Sequence, residues 1–175
     1  MIESRLYGYN NMELRTKRLL LREPDERDIG LMIKGLNDDA VRKYLGKNPY
    51  PFTVAHAEEY IAHCQEFCAM KPQPCYPFTI NTPEEAIGEI GLIGVGKDDG
   101  DIKSSAYLSF WLLKEFWNKG FMSESLDRII SFSREDLRVD VLYADVAKEN
   151  VPSWKLLEKK GFVSQRSPPS DFSVY

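Results

Sequence analysis

The sequence predicts a single α/β domain in which helices cover both faces of a mixed β-sheet. Two observations support this prediction. Hairpin-linked strands in the middle of the chain are followed by alternating helices and strands, an order that combines antiparallel and parallel pairing in one sheet. The chain also has 175 residues, of which 43% are hydrophobic and 29% charged, as is typical of one globular domain.

The first half of the chain alternates strands with amphipathic helices. Asp25 and Thr53 are good helix N-caps, and apolar residues follow each of them at helical spacing. Residues 1–11 are polar, and we expect a loose lead-in there. The predicted elements are a strand at 19–21, helices at 25–36, at 39–45 and from 53 to the prolines at 72 and 74, and strands at 76–80 and 86–95.

The pattern in the second half of the chain predicts strands that are connected through crossover helices. A turn at 98–101 leads into an aromatic strand, and the hydrophobic period then switches from two to about 3.6. Asn150 and Gly161 have the chemistry of a helix N-cap and C′ residue. The predicted elements are strands at 104–113, 140–146, 162–165 and 171–175, and helices at 120–134 and 150–160.

Composition excludes several classes of protein. The 23 Lys and Arg against 27 Asp and Glu give a net charge of −4 with no basic run, which argues against direct nucleic-acid binding. No stretch is long and apolar enough to span a membrane, and residues 1–11 lack the apolar core of a signal peptide. The three cysteines, an odd number, favour a reducing cytoplasmic setting.

Two patterns are misleading. Residues 91–97 fit the start of a phosphate-binding loop, but Asp98 stands where Ser or Thr would bind magnesium. The cysteines at 64, 68 and 75 lack the paired spacing of a zinc site, so we expect buried thiols and no metal.

Residues 116–124 carry the first chemical signal. A strand feeds a helix through a short connection, and the first amides of such a helix have no intrahelical partner. Gly120 lets an anion approach the backbone closely, while Lys119 adds positive charge and Ser123 a hydroxyl. Alone, this arrangement is also typical of an ordinary helix start.

Residues 150–162 carry the second signal. Asn150 as N-cap, Pro152 in the first turn and Gly161 at the end account for most of this segment structurally. The functional interest lies in its pairing with residues 116–124.

Together with the start of the chain, these segments resemble the GNAT family of acetyl-CoA-dependent N-acetyltransferases, in particular its RimJ/RimL-like branch. Residues 14–22 resemble L-x-T-x-R-L-x-L-R, with Asp28 after them. Residues 116–124 resemble Y-W-G-K-G-Y-A-T-E, and residues 150–162 resemble N-x-x-S-x-x-L-x-E-K-x-G-F. The likeness spans about residues 12–175 and implies one GNAT domain over residues 1–175.

The resemblance implies a cofactor site. The strands at 105–112 and 140–146 should splay apart, with acetyl-CoA in the gap between them. Its pantetheine arm should pair with the backbone of Phe110, Trp111, Leu112 and Leu113. Its pyrophosphate should lie on Asn118, Lys119, Gly120, Phe121, Met122 and Ser123. Asn150 and Ser153 should reach the pantetheine amide and the thioester sulfur.

The usual acid and base of the family are missing. Leu157 stands where many relatives have a tyrosine acid, and Tyr107 where many have a glutamate. Ser153 is therefore the candidate proton donor to the thiolate. Glu89 and Asp171 are weaker base candidates, since Glu89 is expected on a solvent face. Aromatic residues that could line an acceptor pocket, although most should be core, are Tyr44, Tyr50, Phe52, Tyr76, Phe78 and Tyr107.

Three interpretations stay open. The first is transfer of an acetyl group from acetyl-CoA to a primary amine, either a protein N-terminus or a small molecule. The second is a non-catalytic module that binds coenzyme A, and the third a GNAT-like fold that has lost the cofactor, motivated by the bulk of Met122 in the loop. The sequence leaves the acceptor open, and also whether the chain is a monomer or a homodimer.

Overall fold

The computed structural model describes residues 12–46, 48–97 and 104–164. The strands are β1 Glu13–Arg15, β2 Leu20–Arg22, β3 Cys75–Asn81, β4 Ala86–Lys97, β5 Ser105–Leu112 and β6 Val141–Tyr143. The helices are α1 Ile29–Leu36, α2 Asp39–Arg42, α3 Val54–Ala69, α4 Phe121–Glu135 and α5 Val151–Lys159. Turns of 3₁₀ helix precede α1 and α4, at Glu26–Asp28 and Lys114–Phe116.

The strands form one six-stranded sheet in sequential order, β1 to β6. Every neighbouring pair is antiparallel except β5 and β6, which are parallel and connected through α4. The predicted mixed, mostly antiparallel α/β fold is confirmed.

Some predicted boundaries were wrong. β1 was not predicted, because three residues are too few to show an alternating pattern. β6 has three residues instead of the seven predicted at 140–146. Residues 162–164, the described part of the strand predicted at 162–165, form no strand. The lead-in at 1–11, the turn at 98–101 and the strand at 171–175 lie outside the described residues.

The sheet separates two hydrophobic clusters. The larger joins the sheet to α4 and α5, with Phe78, Leu126 and Ile129 fully buried. The smaller lies under α1 and α3, where Met32 and Ile61 pack with Trp111 of β5. Because helices cover both faces, the central strands carry side chains that are buried on either side.

Local capping explains where the helices begin. The Asp25 side chain accepts from the Arg27 backbone N–H, and Thr53 and His56 form a reciprocal capping box at α3. The Asn150 side chain accepts from the Ser153 N–H at 3.4 Å. The predicted N-caps are thus confirmed at α3 and α5, whereas Asp25 caps the 3₁₀ turn that leads into α1.

A buried ion pair joins the first helix to the sheet. Asp28 is fully buried and accepts from both terminal nitrogens of Arg22, at 2.7 and 2.9 Å. It also accepts from the Thr79 hydroxyl at 2.8 Å and from the Asp25 N–H at 3.0 Å. Four donors therefore satisfy this carboxylate and fix α1 over β2 and β3.

Within the described ranges, the helices are too short or too polar for any of them to span a membrane.

Candidate active site

The candidate site begins at a gap beside β5. β5 and β6 pair only over Ser105–Tyr107 and Val141–Tyr143. β5 then continues to Leu112, whereas residues 144–147 leave the sheet. The pairing therefore ends where the predicted gap begins.

The free edge of β5 carries backbone groups toward this gap. The Leu113 N–H donates to the Ile87 carbonyl of β4 at 2.9 Å. Because antiparallel pairing alternates between the two edges of a strand, the backbone groups of Phe110 face the opposite edge. The Leu112 carbonyl shares that edge and accepts from the Trp117 indole N–H at 2.9 Å. Phe110 is thus the best-placed of the predicted pantetheine partners to pair with an extended chain.

A turn with left-handed backbone opens α4 next to this edge. Asn118 has φ +60°, and Gly120, the residue before the helix, has φ +79°. No side chain of the described residues caps this helix. Its first amides therefore lie open to an anion, and the helix dipole adds positive potential there. Residues 118–123, which the sequence analysis predicts to hold the pyrophosphate, form this uncapped turn and the first residues of α4.

The bulky residue in this loop points inward. Met122 is 8% exposed and packs in the large cluster with Leu126 and Ile129. Its side chain is therefore directed away from the open amides, and the reason given for a lost cofactor site does not apply. Lys119, in contrast, lies on the surface, with its ammonium 5.2 Å from the Phe116 ring centre.

Some of the polar groups at the start of α5 already take part in hydrogen bonds within the helix. The Asn150 oxygen caps the Ser153 N–H, so the amide nitrogen is the group of Asn150 left for a ligand. Ser153 is half-buried in the first turn. Leu157, at the place of the family's tyrosine, is 3% exposed and packs in the large cluster.

Glu89 is not on a solvent face, which corrects the sequence prediction. Its Oε2 accepts from the Trp111 indole N–H at 2.9 Å, and its Oε1 is buried without a hydrogen-bond partner in the described structure. The error has a physical cause: β4 is covered on both faces, so alternation along it does not distinguish a solvent side. The signal that was available is an acid within an otherwise apolar central strand.

Burial raises the pKa of the Glu89 carboxyl from 4.5 to about 7. The hydrogen bond from Trp111 works in the opposite direction, and the nearby Asp28 carboxylate adds a smaller upward contribution. A carboxyl with a pKa near neutrality can hold or release a proton at physiological pH, which is what a general base needs.

Next to Glu89, on the same face of the sheet, Ser109 and Gly91 leave a small area of the strands uncovered; we call this area the open floor. Ser109 and Trp111 are two residues apart on β5, so their side chains share a face. Ser109 is exposed although β5 is an inner strand, and its partner across the ladder is Gly91, which has no side chain. A small group could therefore lie on the backbone at this point, about 7 Å along the strand from Glu89.

Two of the six predicted pocket aromatics are buried in the core, fewer than the sequence analysis expects. Phe52 and Phe78 are buried in the small and large clusters, and Tyr76 packs edge-on against Phe132. Tyr50 is 63% exposed and lies under the Arg42 guanidinium. Asp171, the other base candidate, lies outside the described residues.

Tyr44 and Tyr107 line a cavity of about 810 Å³ that runs along β6, the later part of α5 and the residues after it. The Tyr107 and Tyr143 rings are 5.3 Å apart in its wall, and the Tyr44 hydroxyl donates to the Glu149 carbonyl at 3.4 Å. None of residues 110–113 or 118–123 lines this cavity, although residues 144–147, which leave the sheet beside the gap, do.

Two of the three cysteines are the buried thiols that the sequence predicts, and Cys75 is half-buried. All three are unpaired, Cys64 and Cys68 are buried, and burial raises the pKa of the Cys68 thiol to about 12. Among the described residues, no group of three or more His, Cys, Asp or Glu could hold a metal ion. Asp98, which argues against a nucleotide loop, lies outside the described residues.

Comparison with known proteins gives one family. The acetyltransferase (GNAT) domain matches residues 18–163. The uncharacterized N-acetyltransferase p20 of Bacillus licheniformis is 29% identical over 150 residues, covering 85% of this chain and 81% of that protein.

Solved structures share the fold. RimJ of Mycobacterium smegmatis in complex with CoA-disulfide has a TM-score of 0.74 at 18% identity, covering 91% of this chain and 79% of that one. Spermidine N-acetyltransferase of Vibrio cholerae, in complex with CoA and spermine, has a TM-score of 0.72 at 23% identity, covering 90% and 88%. The resemblance inferred from the three sequence motifs is confirmed.

Proposed function

Because this chain belongs to the GNAT family of acetyltransferases, it moves an acetyl group from acetyl-CoA to an amine, and we propose how its residues divide that work. The observation that carries the proposal is the family match, which extends from the turn before β2 through the end of α5. The matched residues include the gap between β5 and β6, the turn that opens α4, and Glu89.

We propose that acetyl-CoA lies in the gap between β5 and β6. Its pantetheine arm pairs with the edge of β5 over residues 110–113, in the manner of an added strand. Its pyrophosphate lies on the amides of residues 118–123, where the turn is uncapped and the Met122 side chain points inward. The Asn150 amide and the Ser153 hydroxyl reach the pantetheine and the thioester.

Glu89 acts as the general base in this proposal. The amine enters over Ser109 and Gly91, and its nitrogen attacks the thioester carbonyl carbon. The proton lost by the amine passes to the Glu89 carboxylate, directly or through one water. The C–N bond forms, the C–S bond breaks, and the sulfur leaves as thiolate.

The leaving thiolate needs little help, since a free thiol has a pKa of roughly 8.5. Ser153 is the proposed proton donor to it. Leu157 has no proton to give and is buried in the core, so the tyrosine acid of many relatives has no counterpart at that position.

The pKa of Glu89 favours an α-amine as acceptor. An α-ammonium group has a pKa of roughly 8, and a lysine side chain of roughly 10.4. Transfer of a proton to a carboxylate with a pKa of about 7 is therefore uphill by about tenfold from the α-ammonium and by more than a thousandfold from lysine. We propose a protein N-terminus or a small molecule with an amine of similar basicity. A cytoplasmic location, and a monomer or homodimer without nucleic-acid or membrane partners, stay predictions from composition.

The first experiment measures thermal unfolding with acetyl-CoA, coenzyme A, ATP and NADH. Ligand at 100 times its Kd should add about 2.7 kcal/mol of stability, which raises the Tm by a few degrees. Stabilisation by acetyl-CoA and coenzyme A alone is the expected result. If neither raises the Tm at millimolar concentration, the proposed cofactor site is wrong.

The second experiment measures thiol release from acetyl-CoA with paired peptides. One peptide has a free α-amine and no lysine, and the other a blocked N-terminus and one lysine. Faster release with the first is expected. Binding of acetyl-CoA without release from these peptides or from a panel of small amines would favour a non-catalytic module that binds coenzyme A.

A further inference from the structure

A hairpin near the start of the described chain contacts the turn that opens α4. Residues 16–19 connect β1 to β2 in a closed turn, in which the Thr16 N–H donates to the Leu19 carbonyl at 3.0 Å. The Leu19 N–H donates back to the Thr16 hydroxyl at 2.9 Å. This turn presents Arg18, which lies 106 residues before Glu124 in the sequence.

Arg18 contacts the turn at several points. Its backbone N–H and its Nε donate to the two carboxylate oxygens of Glu124, at 2.8 and 2.7 Å. Its Nη1 donates to the Lys119 carbonyl at 3.1 Å, and its guanidinium carbon lies 4.6 Å from the centre of the Phe121 ring. Its Nη2 would lie 3.4 Å from a Cβ at Gly120. One side chain therefore touches residues on both sides of the left-handed glycine.

The contact between Arg18 and Glu124 also neutralises a negative charge near the proposed pyrophosphate site. It lies in the first turn of α4, and its carboxylate also accepts from the Thr16 hydroxyl at 2.6 Å. Burial alone would raise the pKa of Glu124, but the hydrogen bonds from Thr16 and Arg18 outweigh it and lower that pKa. The carboxylate is thus ionised one turn from the amides proposed for the pyrophosphate, and an unneutralised charge there would repel the cofactor.

We propose that Arg18 is a positioning residue for the cofactor loop. It fixes residues 119–121 in the left-handed turn, and it neutralises Glu124 so that the start of α4 can bind the pyrophosphate. This inference rests on the proposed function, because it requires acetyl-CoA to bind at that turn.

The test measures by calorimetry the Kd of coenzyme A for the original protein, for Arg18→Ala and for the double variant with Glu124→Gln. Arg18→Ala should weaken binding by about tenfold, since it removes both the contacts and the neutralising charge. Adding Glu124→Gln to Arg18→Ala should restore binding to within about threefold of the original protein, because the repelling charge is gone. Arg15→Ala is the matched control on the same hairpin. The Arg15 side chain is 72% exposed and, among the described residues, pairs only with Glu13, so binding should not change.

The two roles of Arg18 separate in the result. If the double variant binds as weakly as Arg18→Ala or more weakly, Arg18 does not act by neutralising Glu124, and the inference is overturned. Unchanged binding by Arg18→Ala would overturn it as well. The Tm of each variant shows whether it is folded, and Arg18→Gln, which keeps the side chain as far as Cδ and removes the charge, replaces Arg18→Ala if that variant unfolds. Failure of the original protein to bind coenzyme A would instead overturn the proposed function.

Discussion

Replacing Glu89 by glutamine should stabilise the protein at pH 8 and change it little at pH 4. The carboxyl is buried with one donor, Trp111, and its pKa in the folded protein is about 7 against an ordinary 4.5. Glutamine has nearly the same shape, carries no charge and can still accept from the Trp111 indole through its oxygen.

The sign follows from proton binding. Between pH 4.5 and 7 the folded protein holds a proton on Glu89 that the unfolded chain has lost. Stability therefore falls as pH rises through this window and is level above it. With each tenfold change in a proton equilibrium equivalent to about 1.4 kcal/mol, the full cost of the ionised carboxylate is about 3 kcal/mol, most of it accumulated between pH 5 and 8.

The assay is urea unfolding of both proteins at pH 4, 5, 6, 7 and 8, compared as the difference in free energy of unfolding. Taking the difference cancels the titration of every other group that the two proteins share. Glu58→Gln, an exposed site on α3, is the control and should show no such pH dependence. A difference between Glu89→Gln and the original protein that does not change with pH would refute the argument, since it would mean that the carboxylate is solvated when charged.

Three further predictions concern the same framework. Asp28→Asn should cost about 3 kcal/mol in urea unfolding, because it leaves the Arg22 guanidinium without its buried anion. Gly35→Ala should lower the free energy of unfolding by about 1–3 kcal/mol and shift tryptophan fluorescence, because the new Cβ would lie 2.2 Å from the Trp111 ring. Gly30→Ala on the same helix is the control, since a Cβ there has no atom within 4 Å. Ser153→Ala should lower kcat about tenfold or less, because a thiolate leaves readily, and unchanged turnover at an unchanged KM would exclude Ser153 as the donor.

The fold was largely predictable because its signals are local. The N-caps at Asp25, Thr53 and Asn150 and the switch of hydrophobic period after Gly120 depend on neighbouring residues, and the structure confirms each of them. The short strands were harder to predict, since β1 and β6 have three residues each, too few for a clear alternating pattern. The extent of β6 also depends on its pairing with β5, whose residues are sequence-distant.

The sequence predicted the part of the candidate site that local backbone forms, but not the parts that depend on contacts between distant side chains. The left-handed turn at Gly120 follows from the local sequence, and so does the expected place of an anion. The contact of Arg18 with Glu124 joins positions 106 residues apart, so no spacing pattern reveals it. The burial of Glu89 likewise depends on Trp111 packing against Gly35 of α1, which is a tertiary contact.

A comparison of Asp28 with Glu89, two buried acids on the face of the sheet that α1 and α3 cover, explains why Glu89 is assigned to catalysis. Asp28 accepts from four donors, and removing its charge would break the join between α1 and the sheet. Glu89 accepts from one donor, and its other buried oxygen has no partner among the described residues, so its ionised form costs stability that an uncharged glutamine would not. The Asp28 carboxylate therefore has a structural role in the fold, whereas the Glu89 carboxylate does not stabilise it. A destabilising carboxylate beside an open floor of Ser109 and Gly91 is the pattern of a functional residue, because catalytic groups are kept at the expense of stability.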